Sequence, residues 1–430
     1  MTKVKFKTII LFVSSYPSPI GEMFIENELK VLQDKFDKIW IIQTKFLENY
    51  NYFRLFKPNN SEKKIMYESK INKVQSIVRF FLSNYFFSEI STILKTFPKK
   101  LFNYKIYKDL IYYYLGSEKK KYWLKNFITD NKIDLKTTLF YTYWCDENTF
   151  LLSRYHREIA KINYVTRLHN WDLYFERHKS NHLPFRSLIF NNSNKIIPIS
   201  KYGENYCFTK IPNLKKSKFS TSYLGVDNFK CNPEYNTTLN EQKSQILKIL
   251  TISFIAPIKG LENLIHSLEK IKDIDIHWHH IGWGDITYEN EIKNQVNQLI
   301  TNNQNIKVTF HGKFSPNNIR YFLENKPIDL MINCSAKEGI PVTLMEAASA
   351  GIPILAYRID GIPEIVMDNY NGFLVEPNLK DFSAEIQKFY SLKKEDKKRM
   401  SENAQTIQRN NFNAVINYNK LIEILSDTEQ

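Results

Sequence analysis

Residues 330–357 read LMINCSAKEGIPVTLMEAASAGIPILAY, and this stretch decides the fold class. An apolar strand pattern, a short loop, a helical pattern and a second apolar strand follow one another. Pro341 suits the first turn of a helix, and Gly351 followed by Pro353 suits its end. The sequence therefore predicts a strand–helix–strand unit of a parallel α/β sheet.

The same alternation continues on both sides of that stretch. Strand patterns such as KIWIIQ and TLFYTYW recur in the first half, and IHWHHIG and KVTFHG recur in the second. A polar segment, 228–245, separates the two series. We therefore expect two Rossmann-like α/β domains, 1–235 and 236–411, with a ligand cleft between the carboxyl ends of their sheets. Within the first domain, 45–135 is rich in aromatic residues and lysine and predicts amphipathic helices.

The composition excludes several classes of protein. Hydrophobic residues make up 43% and charged residues 24% of the 430 residues, which is ordinary for a globular chain and excludes wholesale disorder. No apolar run reaches the roughly 20 residues of a spanning helix, and the short run Ile9–Val13 predicts a buried strand rather than a secretory signal. Four widely spaced cysteines without a CxxC pair favour a reducing cytosol over a disulfide framework or structural zinc.

The net charge of +15 is distributed unevenly. Residues 1–240 carry a balance of +18 and residues 241–430 a balance of −3. A polyanionic partner or surface would explain the basic first half. A lysine-rich coding bias is the other explanation, although bias alone would raise lysine in both halves. No recognised nucleic-acid-binding module is present, so we expect no nucleic-acid partner.

Two glutamates in the opening stretch indicate a ligand site. Glu346 lies in the middle of a helix that is small or apolar on almost every face, and a buried carboxylate requires hydrogen-bond donors. Glu338 lies in the loop before that helix, whose N-terminal amides could bind a diphosphate. Hydroxyls at both ends and phosphates between them describe a nucleotide sugar. The alternative is that Glu346 pairs with a buried cation and Glu338 only caps the helix.

The same two residues carry a resemblance to a known family. Glu338 and Glu346, with seven residues between them, resemble the Glu-x7-Glu motif of retaining family-4 glycosyltransferases of the bacterial surface-polysaccharide type. The likeness is dense from about 249 to 377, including ISFIAPIKG, HHIGWGD, VTFHGKF and NGFLVEP, and looser at SSYPSPIGEMFIENEL, VTRLHNWDLYFER and SYLGVD. It implies the GT-B fold, with two facing Rossmann-like domains, the acceptor on the first and the nucleotide sugar on the second. A C-terminal helix, 412–430, would cross back to the first domain.

The resemblance also implies roles for individual residues. Glu338 would contact the donor sugar near the reacting centre, Lys259 would neutralise the diphosphate leaving group, and His169 would face the reaction centre. Glu346 would hold the ribose hydroxyls. The other donor-binding positions implied are Gly21, Arg167, Lys313, Gly339, Ile340, Val342, Thr343 and Leu344.

One position departs from the family pattern. The family commonly has an arginine five residues before the lysine that corresponds to Lys259, and this chain has Phe254 there. A second cationic contact to the diphosphate is therefore missing or comes from elsewhere, with Arg167 and Lys313 as the candidates.

The implied activity is transfer of a hexose-type sugar from a UDP or GDP sugar to a glycan, lipid-linked or protein acceptor, with retention and without an obligatory metal. The alternatives are a GT-B epimerase or hydrolase of nucleotide sugars, and a non-catalytic nucleotide-binding partner of another transferase. We expect a cytoplasmic protein. Region 45–135 is either a packed accessory subdomain or a surface that contacts an anionic membrane peripherally at the inner face of the plasma membrane.

No metal site is expected from the remaining acidic and histidine patterns. Asp273 and Asp275 precede an apolar strand, whereas a metal-binding DxD pair normally follows one. The histidines of HWHH, at 277, 279 and 280, alternate along a strand, so His280 would lie on the opposite face and a fourth ligand is missing.

Overall fold

Two parallel sheets, each with six strands, organise the chain. The computed structural model describes residues 6–16, 25–45, 57–236 and 246–428. The chain divides into unit 1, which comprises Met1–Ser222 and Tyr418–Gln430, and unit 2, which comprises Tyr223–Asn417.

Strands and helices alternate along unit 1. In chain order they are β1 (Thr8–Val13), α1 (Ile25–Leu32), β2 (Lys38–Gln43), β3 (Ser61–Ile65), α2 (Lys73–Phe81), α3 (Asn84–Thr96), α4 (Tyr104–Asp130), β4 (Thr138–Thr142), α5 (Glu147–Glu158), β5 (Asn163–Leu168), α6 (Arg186–Asn192), β6 (Lys195–Pro198) and α7 (Lys201–Lys210).

The sheet of unit 1 has the strand order β3-β2-β1-β4-β5-β6, and all its pairings are parallel. This is the doubly wound order 3-2-1-4-5-6, in which the chain reverses direction across the sheet between the first and fourth strands. The central strands β1, β4 and β5 are almost wholly buried because helices cover both faces of a parallel sheet. The short apolar run at 9–13 is therefore a buried strand, as predicted.

Helices α2, α3 and α4 form an insertion between β3 and β4. Their inner faces bury Phe80, Ile93 and Leu110 in one core with Phe150 and Phe185. The rings of Phe150 and Phe185 stack with centroids 4.1 Å apart. The described part of region 45–135 thus contains the helices that its aromatic pattern predicted. It also contains strand β3, which we did not predict.

Unit 2 repeats the alternation. Its elements are α8 (Pro233–Asn236), β7 (Leu247–Ile252), α9 (Leu261–Glu269), β8 (Ile276–Ile281), α10 (Ile286–Asn302), β9 (Ile306–Phe310), α11 (Pro316–Asn325), β10 (Leu330–Asn333), α12 (Val342–Ser349), β11 (Ile354–Tyr357), β12 (Gly372–Val375), α13 (Ser383–Ser391) and α14 (Lys394–Asn411). A last helix, α15 (Ala414–Ser426), includes residues of both units.

The sheet of unit 2 has the order β12-β11-β10-β7-β8-β9, and its pairings are also parallel. Counted within the unit, this is again the doubly wound order, and the reversal lies between β7 and β10. Ligands of such sheets bind outside the carboxyl ends of the strands at this reversal. A ligand site is therefore expected at the loops that follow β7 and β10.

Several local predictions differ from the structure. FSTSYLG, at 219–225, reads as a further strand in the sequence, but it forms only an isolated bridge between Phe219 and Ile196. The segment at Ile362 reads as the start of a helix in the sequence, but it forms a single 3-10 turn, Ile362–Glu364. Part of the predicted linker packs on unit 2, where the buried Asn232 side chain donates to the carbonyls of Leu323 and Lys326. Burial of a polar side chain requires such bonds, and the polar composition of the segment did not reveal them.

All four cysteines are free thiols. Within the described ranges, no helix combines the length and hydrophobicity that crossing a membrane requires.

A buried ion pair connects α1 to the sheet of unit 1. Arg167, in β5, is fully buried, and its guanidinium donates to Glu28 Oε2 at 2.6 Å and to the Ser222 carbonyl at 3.0 Å. The Tyr141 hydroxyl donates to the other Glu28 oxygen at 2.5 Å. The pair and its hydrogen bonds are in the core of the unit, where removal of one charge leaves the other desolvated.

We expect Glu28→Ala to destabilise unit 1 by about 3–5 kcal/mol, because the buried Arg167 guanidinium would lose its carboxylate. Urea unfolding followed by circular dichroism measures the change. The control is Glu62→Ala, which removes an exposed pair with Lys38 and should change stability by less than about 1 kcal/mol. Equal effects of the two substitutions would contradict the importance of burial.

Candidate functional site

Two neighbouring loops at the carboxyl edge of the unit 2 sheet are fixed to each other by their main chains. The Ala336 amide, after β10, donates to the Ile258 carbonyl, after β7, at 2.8 Å. Gly260 has a φ of +61°, and a Cβ there would lie 2.4 Å from the Cys334 carbonyl oxygen. Only glycine satisfies both the left-handed backbone and this close approach. The two loops that flank the reversal of strand order are therefore fixed in register.

This contact brings two of the predicted catalytic residues together. Lys259 Nζ lies 2.5 Å from Glu338 Oε1, and both side chains are largely buried, with 22% and 11% exposed. The sequence analysis predicted a role for each residue but not that they pair. A cation and a carboxylate therefore stand side by side where the doubly wound sheet binds its ligands.

Asp360 holds the loop that carries Glu338. Its carboxylate accepts the Glu338 amide at 2.9 Å, and Lys337 Nζ lies 3.5 Å from its other oxygen. Asp360 has a φ of +45°, a left-handed conformation that aspartate tolerates better than most residues. Burial raises the pKa of this carboxyl despite the hydrogen bond and the nearby lysine. Asp360 therefore fixes the main chain at Glu338.

The first turn of α12 offers free amide groups. No side chain caps this helix. Among the described residues, nothing accepts a hydrogen bond from the amides of Val342 and Thr343. The side chains of these two residues are half-buried. Leu344 is fully buried, and its amide donates to the Pro341 carbonyl at 3.2 Å. Two of the three predicted amides are thus available to an anion, together with the positive end of the helix dipole.

Glu346 follows in the same helix as a carboxylate without a protein partner. Within the described part of the chain its side chain makes no hydrogen bond and no ion pair, although it is only partly exposed. Burial raises the pKa of Glu346 to about 7, from an ordinary value of 4.5. Natural proteins rarely keep such a group unless a ligand satisfies it. Among the described residues, no cation pairs with Glu346, in contrast to the alternative given above.

An aromatic pair takes the place of the expected second cation. Phe254, after β7, is half exposed and meets the Trp283 ring edge-on at 4.5 Å. Lys313 Nζ lies 4.7 Å from the centroid of the Trp283 ring, within cation–π range. Phe254, Trp283 and Lys313 follow β7, β8 and β9, so they line one edge of the sheet. We did not single out Trp283, although its place after a predicted strand was a usable signal.

The other candidate for that cation is elsewhere. Arg167 belongs to unit 1 and is fully buried in its ion pair with Glu28. Its guanidinium therefore has no exposed face for the diphosphate contact suggested above, whereas Lys313 is exposed at the sheet edge of unit 2. Of the other predicted donor-binding residues, Ile340 is buried and Gly339 accepts the Gly361 amide at 3.0 Å. Gly21 lies outside the described residues.

His169 lies at the carboxyl edge of the unit 1 sheet, directly after β5. Its amide donates to Asp172 Oδ1 at 2.8 Å, and its ring lies between Tyr143 and Trp144, with centroid distances of 4.7 and 4.4 Å. Burial alone would raise the pKa of Asp172, but the nearby His169 side chain and the hydrogen bonds from the amides of Cys145 and His169 lower it. The ionised carboxylate of Asp172 thus fixes the loop that contains His169.

The histidines of β8 divide between the two faces of the sheet. His280 is buried and contacts the Thr251 hydroxyl at 2.8 Å, whereas His277 and His279 share the opposite face, as predicted. In the described part of the chain, no group of three or more His, Cys, Asp or Glu side chains could hold a metal ion.

Two doubly wound α/β units of this kind define the GT-B fold of glycosyltransferases, and the predicted fold class is confirmed. Residues 238–407 match the model of the family described as Glycosyl transferases group 1. This region contains Lys259, Glu338 and Glu346.

The chain is similar to two glycosyltransferases and one solved structure, each at 25% identity or less. The amylovoran biosynthesis glycosyltransferase AmsK of Erwinia amylovora is 24% identical over 72% of this chain and 75% of its own length. The uncharacterized glycosyltransferase MJ1178 of Methanocaldococcus jannaschii is 25% identical over 50% of this chain and 55% of its own length, so the chain spans about half of that relative. The structure of HepE from Anabaena in complex with UDP and glucose has a TM-score of 0.66 at 18% identity, covering 98% of this chain and all of that one.

Proposed function

We propose that this chain is a retaining glycosyltransferase of family 4. It would move a hexose-type sugar from a UDP or GDP sugar to a hydroxyl of a glycan, lipid-linked or protein acceptor in bacterial surface polysaccharide or glycoconjugate synthesis. The observation that carries the proposal is the unpartnered carboxylate of Glu346 in α12, a helix whose start is uncapped and follows the loop in which Glu338 pairs with Lys259. The similar Anabaena protein was crystallised with UDP and glucose, which supports a nucleotide-sugar donor.

Each group at this edge has a proposed task. Glu346 would accept hydrogen bonds from the ribose hydroxyls, which would supply the donors that this carboxylate lacks in the protein. The amides of Val342 and Thr343 would bind the diphosphate at the positive end of α12. Lys259 would exchange Glu338 for the diphosphate oxygens and stabilise the charge that develops as the sugar departs.

Glu338 would then be released toward the sugar. In the present structure its charge is compensated by Lys259, and its amide is fixed by Asp360. When a diphosphate draws the lysine away, the carboxylate would be free to stabilise positive charge at the anomeric carbon. We propose this electrostatic role rather than a covalent one, and we propose that His169 contributes to the sugar site from unit 1.

The proposal extends to the roles of the domains and to the location of the protein. We propose that 236–411 binds the donor, that 1–235 binds the acceptor, and that 412–430 crosses back to it. We also propose a cytoplasmic enzyme, in agreement with its free cysteines, that associates with the inner face of the plasma membrane.

The experiment is a thermal-shift screen of nucleoside diphosphates and their sugars, followed by turnover with the donor that binds. Ligands that bind the native state raise the melting temperature. The proposal expects release of nucleoside diphosphate that depends on an acceptor, with the anomeric configuration of the product retained in the proton NMR spectrum.

Two other outcomes would replace this proposal. Rapid acceptor-free conversion of the donor would indicate an epimerase or hydrolase. Binding without turnover of any donor and acceptor would indicate a non-catalytic partner of another transferase, an alternative that Phe254 in place of the usual arginine favours.

A further inference from the structure

Helix α2 exposes its apolar side to solvent. Val74, Val78, Phe81 and Leu82 are spaced i, i+4, i+7 and i+8, so they form one stripe about 100° wide. The exposed fractions are 74% for Val74 and 75% for Leu82. The opposite side of the helix provides the buried Phe80. An ordinary surface helix has the reverse arrangement, with its apolar stripe inside.

Helix α3 extends the same apolar surface. The ring of Phe81 contacts that of Phe86 at 5.0 Å, and Phe86 contacts Phe87 at 5.6 Å. Phe87 and Leu94 are exposed and lie seven residues apart on one side of α3, about 100° or more around the helix from the buried Ile93. We call this surface, formed by Val74, Val78, Phe81, Leu82, Phe87 and Leu94, the α2–α3 face.

The segment that carries this face is strongly basic. Residues 70–108 contain eight lysines and arginines and a single acid, Glu89. Glu89 is buried and paired with His182 at 2.8 Å, so it contributes no exposed negative charge. At 100° per residue, Lys73 and Arg79 lie on either side of the apolar stripe of α2. Both are exposed.

We propose that the α2–α3 face binds an anionic lipid surface peripherally. Aliphatic and aromatic side chains would enter the boundary between headgroups and acyl chains, while the flanking lysines and arginines would contact the headgroups. A second copy of the chain is disfavoured as the partner, because two such basic surfaces repel each other. A nucleic acid would use the cations but would leave the aliphatic stripe in water.

This surface deepens the acceptor side of the proposed function, since a lipid-linked acceptor is available at a membrane. Its test does not depend on the sugar chemistry. Vesicle binding is measured without nucleotide, and nucleotide binding is measured without vesicles, so either property can fail alone.

The experiment is co-sedimentation of the full chain with vesicles of phosphatidylcholine alone or mixed with phosphatidylglycerol. Binding is expected only to the anionic vesicles and should weaken as salt is added. The double variant Val78→Ser/Leu82→Ser should lower the partition coefficient about tenfold or more. Lys73→Gln/Arg79→Gln should also lower it, by several-fold. Both pairs are exposed, so the melting temperature should not change.

The matched control is Tyr321→Ser, which removes an exposed ring of α11 in unit 2 and should leave vesicle binding intact. The proposal is overturned if the wild-type chain ignores anionic vesicles, or if Val78→Ser/Leu82→Ser binds them as the wild type does. It is also overturned if the wild type is a dimer that this double variant converts to a monomer, since the face would then join two copies.

Discussion

Lys259→Met is expected to reduce turnover about 100- to 1,000-fold while leaving the fold intact, because the variant loses the cation proposed to stabilise the departing diphosphate. The measurement is the rate of nucleoside diphosphate release from the donor in the presence of acceptor. Lys259→Arg keeps the charge and should retain part of the activity. Lys270→Met removes an exposed lysine paired with Asp381 and serves as the surface control.

Because Lys259 also pairs with Glu338, its substitution can lower stability as well as turnover. A second variant separates the two effects. Lys259→Met leaves the largely buried Glu338 carboxylate without its partner, which lowers stability. The double variant Lys259→Met/Glu338→Gln removes both charges and should recover the melting temperature but not the turnover. If the double variant regains wild-type turnover, Lys259 serves stability alone and the proposed electrostatic role is wrong.

Glu346→Gln is expected to change binding and stability in opposite directions. The affinity for the nucleoside diphosphate should fall about 10- to 100-fold, because hydrogen bonds to a charged acceptor are worth roughly 1.5–3 kcal/mol. The protein without ligand should become more stable at neutral pH, since the substitution removes a partly buried charge that has no protein partner. Isothermal titration calorimetry and thermal unfolding measure the two effects.

The pH dependence identifies the cause of the gain in stability. Burial raises the pKa of Glu346 to about 7, so between its ordinary value of 4.5 and about 7 the folded state binds more protons than the unfolded state. The wild type therefore loses stability as the pH rises through this range. The advantage of Glu346→Gln should be small near pH 4.5, grow up to about pH 7 and then stay constant, reaching about 2–4 °C in melting temperature.

Glu402→Gln, on the exposed side of α14, is the matched control and should affect neither binding nor stability. A Glu346→Gln variant that binds nucleotide as well as the wild type would contradict the ribose contact. A variant whose stability falls at neutral pH would show that the carboxylate has a partner in the protein.

The sequence predicted the site in unit 2 well because its signals are local. Pro341 and Gly351 delimit α12, and Glu346 stands out as the one acid in an apolar helix. Lys259 and Glu338 each follow an apolar strand, so their place at the carboxyl edge was predictable from the α/β alternation. Their direct contact was not, because it depends on how two loops 79 residues apart approach each other.

Other features depend on contacts that no local pattern contains. Arg167 looked like an available cation, yet its partner Glu28 is 139 residues away, and only the folded sheet brings them together. Asp360 bonds to the Glu338 amide across 22 residues. The edge strands β3 and β12 were missed for a different reason. SEKKI is charged and GFLV is only four residues long, and edge strands need not be apolar.

The close approach of Gly260 to the Cys334 carbonyl has a consequence for ionic strength. Main-chain contacts that do not involve the two charges hold together the loops that carry Lys259 and Glu338. Concentrated salt can therefore screen the two charges without separating the two loops. We therefore expect the main chain of the site to keep its geometry as salt is added, while its attraction for an anion weakens.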